Sequence, residues 1–370
     1  MQRSPAAPAV VPFLNPALSL YLDLVRCLAA LAVLVGHFVQ RGYGGDSLLI
    51  GAWSHEAVVF FFVLSGLVIA HSTHGKPLSW REYGLARATR LYSVVVPAFL
   101  LGVAAQAVAL WQMPTLAVPL AADLAPANVL GSLLFLGESW GLHASLPWNG
   151  AFWSLCYEVW YYVLFGVFLF VHNWRWWWFA AAACLAGPAI LLMAPLWWGG
   201  AWLARRGGRL VQGPAASALL WVVTLVLMAA LKATAVDVTV RDWFDQTIPG
   251  YWHVSGAKRW LTDYLWALLI MTHFVAFRGL DAWLPRDFGR AGRAMVFVAG
   301  YTFSLYLYHL PLLHLLQALA PPTHLSHAGA TLAMLGTIGA CVLLGHFTEK
   351  RKEIFRRALR PLFGVPARRA

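Results

Sequence analysis

Charged residues are scarce in this chain of 370 residues. Asp, Glu, Lys and Arg make up 11% of it and hydrophobic residues 60%, whereas soluble domains carry about 25% charged residues. Cysteine pairs at CxxC spacing are also missing, since Cys27, Cys156, Cys184 and Cys341 all stand singly in apolar segments. These shortages argue against a soluble globular domain, a disulfide framework and a cysteine metal site, and favour one membrane domain.

The motifs of several familiar enzyme classes are absent as well. The sequence has no Gly-rich phosphate loop, HExxH, GxSxG or carboxylate cluster, so we expect no catalytic metal. No internal repeat is visible, which leaves a transporter built from inverted repeats without support. The net charge of +12 comes from short basic clusters between apolar runs. Because no nucleic-acid-binding motif accompanies them, we expect no nucleic acid partner.

The chain contains many apolar runs. Their length is close to the roughly 20 residues that a helix needs to cross a bilayer. They predict an all-α polytopic membrane bundle of about ten transmembrane helices. We expect residues 1–16 to be a disordered N-terminal segment, 17–349 the membrane domain and 350–370 a basic tail. The candidate spans are residues 17–39, 54–71, 89–111, 151–171, 175–193, 195–204, 214–232, 260–277, 295–317 and 328–347.

The distribution of basic residues predicts how these spans are oriented. With a cytoplasmic N-terminus, 21 of the 27 Lys and Arg residues fall in cytoplasmic segments and five fall outside, while Arg26 lies within the first span. The positive-inside rule therefore predicts cytoplasmic termini. The outer segment 112–150 contains no Lys or Arg and is rich in Pro, Gly and Trp, which suits a re-entrant or lid-like loop.

The first span carries ionisable groups that are expensive to bury. Arg26 and His37 are eleven residues apart, so they share one helix face about 16 Å apart along the axis, and Asp23 lies near the same face. A charge near the bilayer centre costs at least about 2.5 kcal/mol, which makes such groups functional candidates. The alternative is a structural Asp23–Arg26 pair, with His37 hydrogen-bonded near the interface.

The fourth span carries a second polar group. Glu158 follows Ser154 by one turn, and Tyr157 belongs to an aromatic series on the same helix. Because Glu158 lies within about 10 Å of the outer start of its span, we expect it at the depth of His37. A histidine and a carboxylate at one depth could act as a base and its orienting partner. Alternatively, the aromatic residues form an interfacial belt and Glu158 pairs with a nearby hydroxyl.

Two arginines stand at the start of the third span, in the sequence RATR. Arg87 and Arg90 are three residues apart and share a helix face, so they could clamp phosphate groups. Arginine at a cytoplasmic helix end is also ordinary topology, and the motif alone does not separate the two interpretations.

The ninth span contains the sequence YTFSLYLYHLPL. Ser304 and Tyr308 lie on one helix face, and His309 follows directly. A supporting role at the site is one interpretation of these residues. A packed histidine that is satisfied by its neighbours is the other.

Five stretches in order resemble the acyltransferase 3 family of integral-membrane O-acyltransferases. YLDLVRCLAALAVLVGHF is similar to its first span, VVFFFVLSGLVIA to its second and RATRLYSVVVP to the start of its third. FWSLCYEVWYY resembles its WSLxxE span and FSLYLYHLPL its SLYLxH span. Each stretch alone is unspecific, but the ordered set covers most of the chain.

The resemblance implies a ten-span fold with cytoplasmic termini in the bacterial inner membrane. It implies transfer of an acyl group, commonly acetyl from cytoplasmic acetyl-coenzyme A, to hydroxyls of extracytoplasmic glycans such as O-antigen, exopolysaccharide or glycolipids. Some members carry an additional extracytoplasmic hydrolase-like domain. Because this chain ends in its basic tail, we expect a second transfer step, if there is one, to need a separate protein.

The resemblance also implies roles for individual residues. Arg26, His37, Arg87, Arg90 and Glu158 fall on positions that the family uses. We expect Arg87 and Arg90 to hold the phosphates of coenzyme A and Arg26 to steer the donor. His37, oriented by Glu158, would deprotonate the acceptor hydroxyl or carry the acyl group, and the sequence does not separate these routes.

Two other functions compete with acyl transfer. A transporter or flippase of a lipid-linked glycan could use the same buried charges as a path. A non-enzymatic assembly partner in the membrane would leave those charges unexplained. The aromatic residues Trp243, Tyr251, Trp252 and Trp260 of an outer segment suit either stacking on sugar rings or an interfacial belt.

Overall fold

The chain folds into α-helices, seen in a computed structural model that describes residues 12–43, 49–248, 250, 254, 256–285 and 287–366. Within these residues there is no strand, which confirms the expected all-α class. Residues 1–11, which make up most of the segment predicted to be disordered, lie outside the described residues. So do Tyr251 and Trp252.

Fifteen α-helices lie within the described residues. They are α1 (Pro16–Gln40), α2 (Ser54–Thr73), α3 (Trp80–Ala109), α4 (Ala117–Asp123), α5 (Pro126–Leu133), α6 (Phe152–Phe170), α7 (Arg175–Ala186), α8 (Pro188–Arg206), α9 (Pro214–Ala233), α10 (Val236–Thr247), α11 (Trp260–Gly279), α12 (Gly289–Ala299), α13 (Thr302–Leu319), α14 (His327–Phe347) and α15 (Glu353–Phe363). Short 3₁₀ turns, among them Leu49–Trp53 before α2 and Glu349–Arg351 after α14, join several of them.

Seven of these helices are long and apolar enough to cross a membrane, and two bent pairs raise the number to nine if each pair is one span. This range is roughly consistent with the ten spans predicted. The pairs are α7 with α8, bent by 119°, and α12 with α13, bent by 44°. The predicted boundary near residue 194 is wrong. The chain breaks at Gly187, whose φ of 87° suits glycine, and Pro188 then starts α8.

The start of α1 is held by local contacts. Asn15 caps the helix by accepting a hydrogen bond from the backbone N–H of Leu18 at 2.8 Å, and Pro16 occupies the first turn. Phe13 is buried, and its carbonyl accepts a hydrogen bond from Arg278 at the end of α11. Phe13 and Asn15 therefore pack onto the bundle.

Both ends of the described chain lie at one face of the bundle. Arg26 and Arg90 each follow the start of their helix by ten residues and border the same cavity, so α1 and α3 start at the same face. The basic tail forms α15, and Arg81 at the start of α3 donates a hydrogen bond to the Gly364 carbonyl just beyond it. This arrangement agrees with termini on one side of the membrane, and their cytoplasmic location stays a prediction.

Close contact between α2 and α8 fixes the centre of the bundle. A Cβ atom on Gly66 would lie 1.9 Å from the carbonyl oxygen of Trp197, and one on Gly200 would lie 2.0 Å from that of Val63. Only glycine permits this approach, which is the usual way for helices to pack tightly in membranes. The buried Trp197 indole also donates a hydrogen bond to Ser65 on α2. The depth and rotation of α2 are therefore set by backbone contact.

The segment 112–150, which contains no Lys or Arg, reaches into the bundle beside α13. Phe135 and Leu146 are buried, and the Asn149 amide donates a hydrogen bond to the Leu307 carbonyl at 2.7 Å. Because α6 begins directly after this segment, its first turn starts inside the bundle.

Candidate active site

Two neighbouring cavities lie among the helices. The first, which we call the arginine cavity, has a volume of about 100 Å³ and is bordered by Arg26, Ser65, Arg90, Glu158, Tyr162 and Tyr306, among others. The second, the histidine cavity, has a volume of about 440 Å³ and is bordered by His37, His55, Trp153, Lys232, Arg259 and Tyr306, among others. The larger volume falls in the range of small-molecule sites.

Val58 and Tyr306 border both cavities, and we call these two side chains the partition. The Tyr306 hydroxyl pairs with Ser154 Oγ at 2.6 Å and reaches the Ala151 carbonyl at 3.2 Å. The predicted supporting residue Ser154 thus holds the partition in place, and it borders the arginine cavity itself.

Helix α1 contributes one predicted residue to each cavity. Arg26 lies in the arginine cavity and His37 in the histidine cavity. Asp23 accepts a hydrogen bond from Arg26 Nη2 at 2.8 Å, so the ion pair considered as a structural alternative is present. The Nε atom of Arg26 is nevertheless buried without a hydrogen-bond partner. The guanidinium therefore keeps capacity for a further acceptor.

Glu158 does not contact His37, contrary to the expected pairing. Its carboxylate accepts a hydrogen bond from the Tyr162 hydroxyl at 2.5 Å, the hydroxyl partner that was the alternative. The reason is helix direction. The start of α6 borders the histidine cavity at Ala151, but each further turn moves away from His37, so Glu158 borders the arginine cavity.

The side chain that contacts His37 is His309 on α13. His37 Nδ1 and His309 Nε2 are 2.9 Å apart, and His309 is fully buried with its Nδ1 2.9 Å from the Leu305 carbonyl. A carbonyl can only accept, so in neutral His309 the proton is assigned to Nδ1 and Nε2 accepts from His37. His37 then carries its proton on Nδ1. Its Nε2 then keeps a lone pair.

Arg87 and Arg90 have no hydrogen bond or ion pair from their guanidinium groups within the described residues. Arg87 lies over the rings of Tyr83 and Tyr162, with its guanidinium carbon 6.0 and 5.8 Å from the ring centroids. Arg90 borders the arginine cavity and is exposed there. Arg90 thus borders the cavity and Arg87 lies one turn before it on α3, both without a contacting carboxylate among the described residues.

The other predicted supporting residues hold neighbouring segments. Hydrogen bonds join Tyr157 to Glu138 at 3.3 Å, Ser304 to Glu349 at 2.7 Å, and Tyr308 to Thr348 at 2.7 Å. Among the described residues, Tyr157, Ser304 and Tyr308 border neither cavity. Their contacts instead connect α6 to the segment before it and α13 to the turn after α14.

Several residues of the histidine cavity were missed by the sequence analysis. They form three pairs, Lys232 with Glu56 at 2.8 Å, Arg259 with Asp237 at 2.5 Å, and His55 with Asp263 at 2.8 Å. The partners are far apart in sequence, so no short motif joins them. The available signal was the presence of single carboxylates, Glu56 and Asp263, inside two of the predicted spans.

The two cavities offer different chemistry. Arg90 borders the arginine cavity without a hydrogen bond or ion pair among the described residues, which suits an anionic ligand. A histidine with an unprotonated Nε2 in the histidine cavity suits proton removal or nucleophilic attack. Within the part of the chain that the structure describes, no three His, Cys, Asp or Glu side chains group as a metal site.

The fold and the site define a class of protein, namely a helical membrane bundle with a polar site enclosed between its spans. Residues 19–346, nearly the whole chain, match the family model described as an acyltransferase domain. The chain therefore belongs to the acyltransferase 3 family and is a membrane acyltransferase, as the resemblance implied. Comparison with curated proteins and with solved structures gave no significant match.

Proposed function

We propose that this protein transfers an acyl group, most simply acetyl, from cytoplasmic acyl-coenzyme A to a hydroxyl of an extracytoplasmic glycan. The donor would bind in the arginine cavity and the acceptor in the histidine cavity. This assignment puts the start of α1 on the cytoplasmic side of the bacterial inner membrane. The observation that carries it is the contrast between two adjoining cavities, one bordered by Arg90 without a contacting carboxylate and one bordered by a histidine with an unprotonated nitrogen.

The arginine cavity supports a coenzyme A thioester as the donor. Its volume of about 100 Å³ is too small for the whole coenzyme, so the nucleotide would stay at the mouth and only the acyl-pantetheine arm would enter. Arg87 and Arg90 would contact phosphates there, since guanidinium groups bind phosphate through paired N–H donors. Arg26, which keeps an unpartnered Nε, would assist from deeper in the cavity.

His37 would perform the chemistry, with His309 as its positioning residue. The His309 contact assigns the proton of His37 to Nδ1 and leaves Nε2 available. To reach that atom, the thioester must pass the partition formed by Val58 and Tyr306. Glu158 would act on the donor side, because it borders the arginine cavity.

The histidine cavity supports a neutral, polar acceptor such as a sugar. Its charged side chains form pairs with one another and so present hydrogen-bonding groups without a large unpaired charge. Trp153 borders the same cavity and offers an aromatic face of the kind that stacks on sugar rings.

The decisive experiment compares surface glycans from three strains by mass spectrometry. These are a deletion strain, the strain complemented with the wild type and the strain complemented with His37→Ala. We expect the mass of one acetyl group to disappear on deletion and to return with the wild type only. An unchanged glycan in the deletion strain contradicts a glycan acceptor, and acyl-coenzyme A turnover by the purified protein then separates transfer to another acceptor from transport.

A further inference from the structure

A second histidine borders the histidine cavity, paired with a buried carboxylate. His55 in the first turn of α2 places Nε2 2.8 Å from Asp263 Oδ1 on α11. The side chain of Asp263 is 0% exposed, while that of His55 is 21% exposed. The buried end of the pair is thus the carboxylate, and the imidazole is the end that borders the cavity.

The hydrogen bond assigns the proton of neutral His55. An ionised carboxylate can only accept, so His55 must donate from Nε2. Its Nδ1 then keeps a lone pair, and this atom has no hydrogen-bond partner among the described residues. Asp263 Oδ2 is buried without a partner, so the carboxylate has spare capacity to stabilise an imidazolium. A carboxylate that orients a histidine in this way is the arrangement of a general base.

His37 and His55 border the same cavity because the residues just before them, Gly36 and Ser54, are in close contact. A Cβ atom on Gly36 would lie 2.7 Å from the Gly51 carbonyl oxygen and 2.9 Å from Ser54 Cβ. The next residues along each chain segment, His37 and His55, both border the histidine cavity. An acceptor in that cavity therefore has one histidine on α1 and a second on α2.

We propose that His55, positioned by Asp263, is the general base that deprotonates the acceptor hydroxyl. This inference rests on the proposed function and divides its chemistry between two histidines. His37 Nε2 attacks the thioester carbonyl carbon, the C–S bond breaks and coenzyme A leaves as its thiolate. The acceptor oxygen then attacks the same carbon while its proton passes to His55 Nδ1. The bond to His37 Nε2 breaks. His55 later releases its proton to the solvent on its own side of the partition, and the thiolate takes up a proton from the solvent on the other side.

The roles of His37 and His55 can be distinguished with an acceptor that needs no general base. Hydroxylamine is uncharged and strongly nucleophilic at neutral pH, so it can take an acetyl group from His37 without His55. We would incubate purified protein with acetyl-coenzyme A and hydroxylamine and measure acetohydroxamate as its coloured iron(III) complex. Acetylation of the cell's own glycan would be measured in parallel in the complemented deletion strain.

We expect His55→Gln to lower glycan acetylation by about 10²-fold or more but to keep acetohydroxamate formation within about threefold of the wild type. His37→Gln should abolish glycan acetylation and lower acetohydroxamate formation to the rate of acetyl-coenzyme A and hydroxylamine without protein. Loss of acetohydroxamate formation in His55→Gln would overturn the proposal, as would normal glycan acetylation. Failure of the wild type to use acetyl-coenzyme A with either acceptor would instead reject the proposed function.

A second test uses Asp263→Asn, a substitution that nearly preserves the shape of the side chain. The Asn amide can donate to His55 Nε2 and so shift the ring proton to Nδ1, which removes the base without emptying the site. The same separation between the two acceptors is expected, whereas a purely structural role would lower both reactions together. His71→Gln, at the far end of α2, is the matched control, and the size-exclusion profile of each variant reports folding.

Discussion

The two cavities differ in how their charges are paired. In the arginine cavity, Arg90 has no contacting carboxylate, and neither has Arg87 on the same helix face. In the histidine cavity, Lys232 and Arg259 each contact a carboxylate. The arginine cavity thus offers the Arg90 guanidinium to an anionic ligand, although Glu158 borders it as well, whereas each of these two cations in the histidine cavity is already paired.

This difference indicates which substrate each cavity suits. Keeping an unpaired charge away from bulk water costs free energy. An anionic ligand that neutralises this charge therefore binds more favourably. A cavity whose charges are already paired gains little from a charged ligand but still offers hydrogen bonds. The comparison therefore agrees with an anionic thioester on one side of the partition and a neutral hydroxyl compound on the other.

The largest expected effect comes from the one side chain that both substrates must reach. His37→Gln removes the attacking nitrogen, so coenzyme A release in the presence of hydroxylamine should fall by about 10²- to 10⁴-fold. A thiol reagent measures this release. Acetyl-coenzyme A should still bind, because the arginine cavity is intact. His324→Gln on an exposed turn is the control, and a comparable loss there would remove the special role of His37.

The double variant Arg87→Gln, Arg90→Gln tests the donor side of the comparison. Each charged contact is worth about 1.5 to 3 kcal/mol, so donor affinity should fall by about 10²-fold or more. Equilibrium binding of labelled acetyl-coenzyme A measures the change. The exposed Arg293→Gln removes one charge elsewhere and should bind normally. Wild-type affinity in the double variant would show that these arginines serve topology alone.

His309→Gln tests whether the buried neighbour sets the proton position of His37. A Gln amide can donate to His37 Nδ1 and favour the proton on Nε2, where it blocks the lone pair. We expect turnover to fall by about tenfold, in line with the energy of about one hydrogen bond. Donor affinity should stay unchanged. A rise in KM with normal kcat would instead indicate a packing role.

The smallest expected effect is a difference in how salt changes the KM values of the two substrates. Raising ionic strength shortens the range of electrostatic attraction, so the KM for acetyl-coenzyme A should rise a few-fold. The KM for the neutral acceptor hydroxylamine should stay constant. Equal salt dependence for both substrates would contradict the assignment of the cavities.

The sequence was sufficient to predict the helices and to single out side chains that border the two cavities. Apolar runs marked the spans, and the scarcity of charge made Arg26, His37 and Glu158 conspicuous. The spacing of Arg87 and Arg90 correctly placed both on one helix face. These features depend on local periodicity and on the cost of burying a charge, which one sequence contains.

The partners of those side chains could not be predicted. His37 contacts His309 rather than Glu158 because partner choice depends on the depth and rotation of neighbouring helices. Those are set by close backbone approaches such as Gly66 against Trp197, which no single-span pattern reveals. The pair of His55 and Asp263 was missed for the same reason, since its two members are brought together only by the packing of α2 against α11.

The partition has a consequence for the cell's energy supply. An open path between two aqueous cavities would conduct ions down the membrane voltage, which amounts to about 2.3 kcal/mol per elementary charge at 100 mV. An apolar valine and a tyrosine fixed by Ser154 separate the two cavities. Under the proposed function, such a barrier would let a small uncharged acyl group pass while holding back protons and salts, so transfer across the membrane would not discharge it.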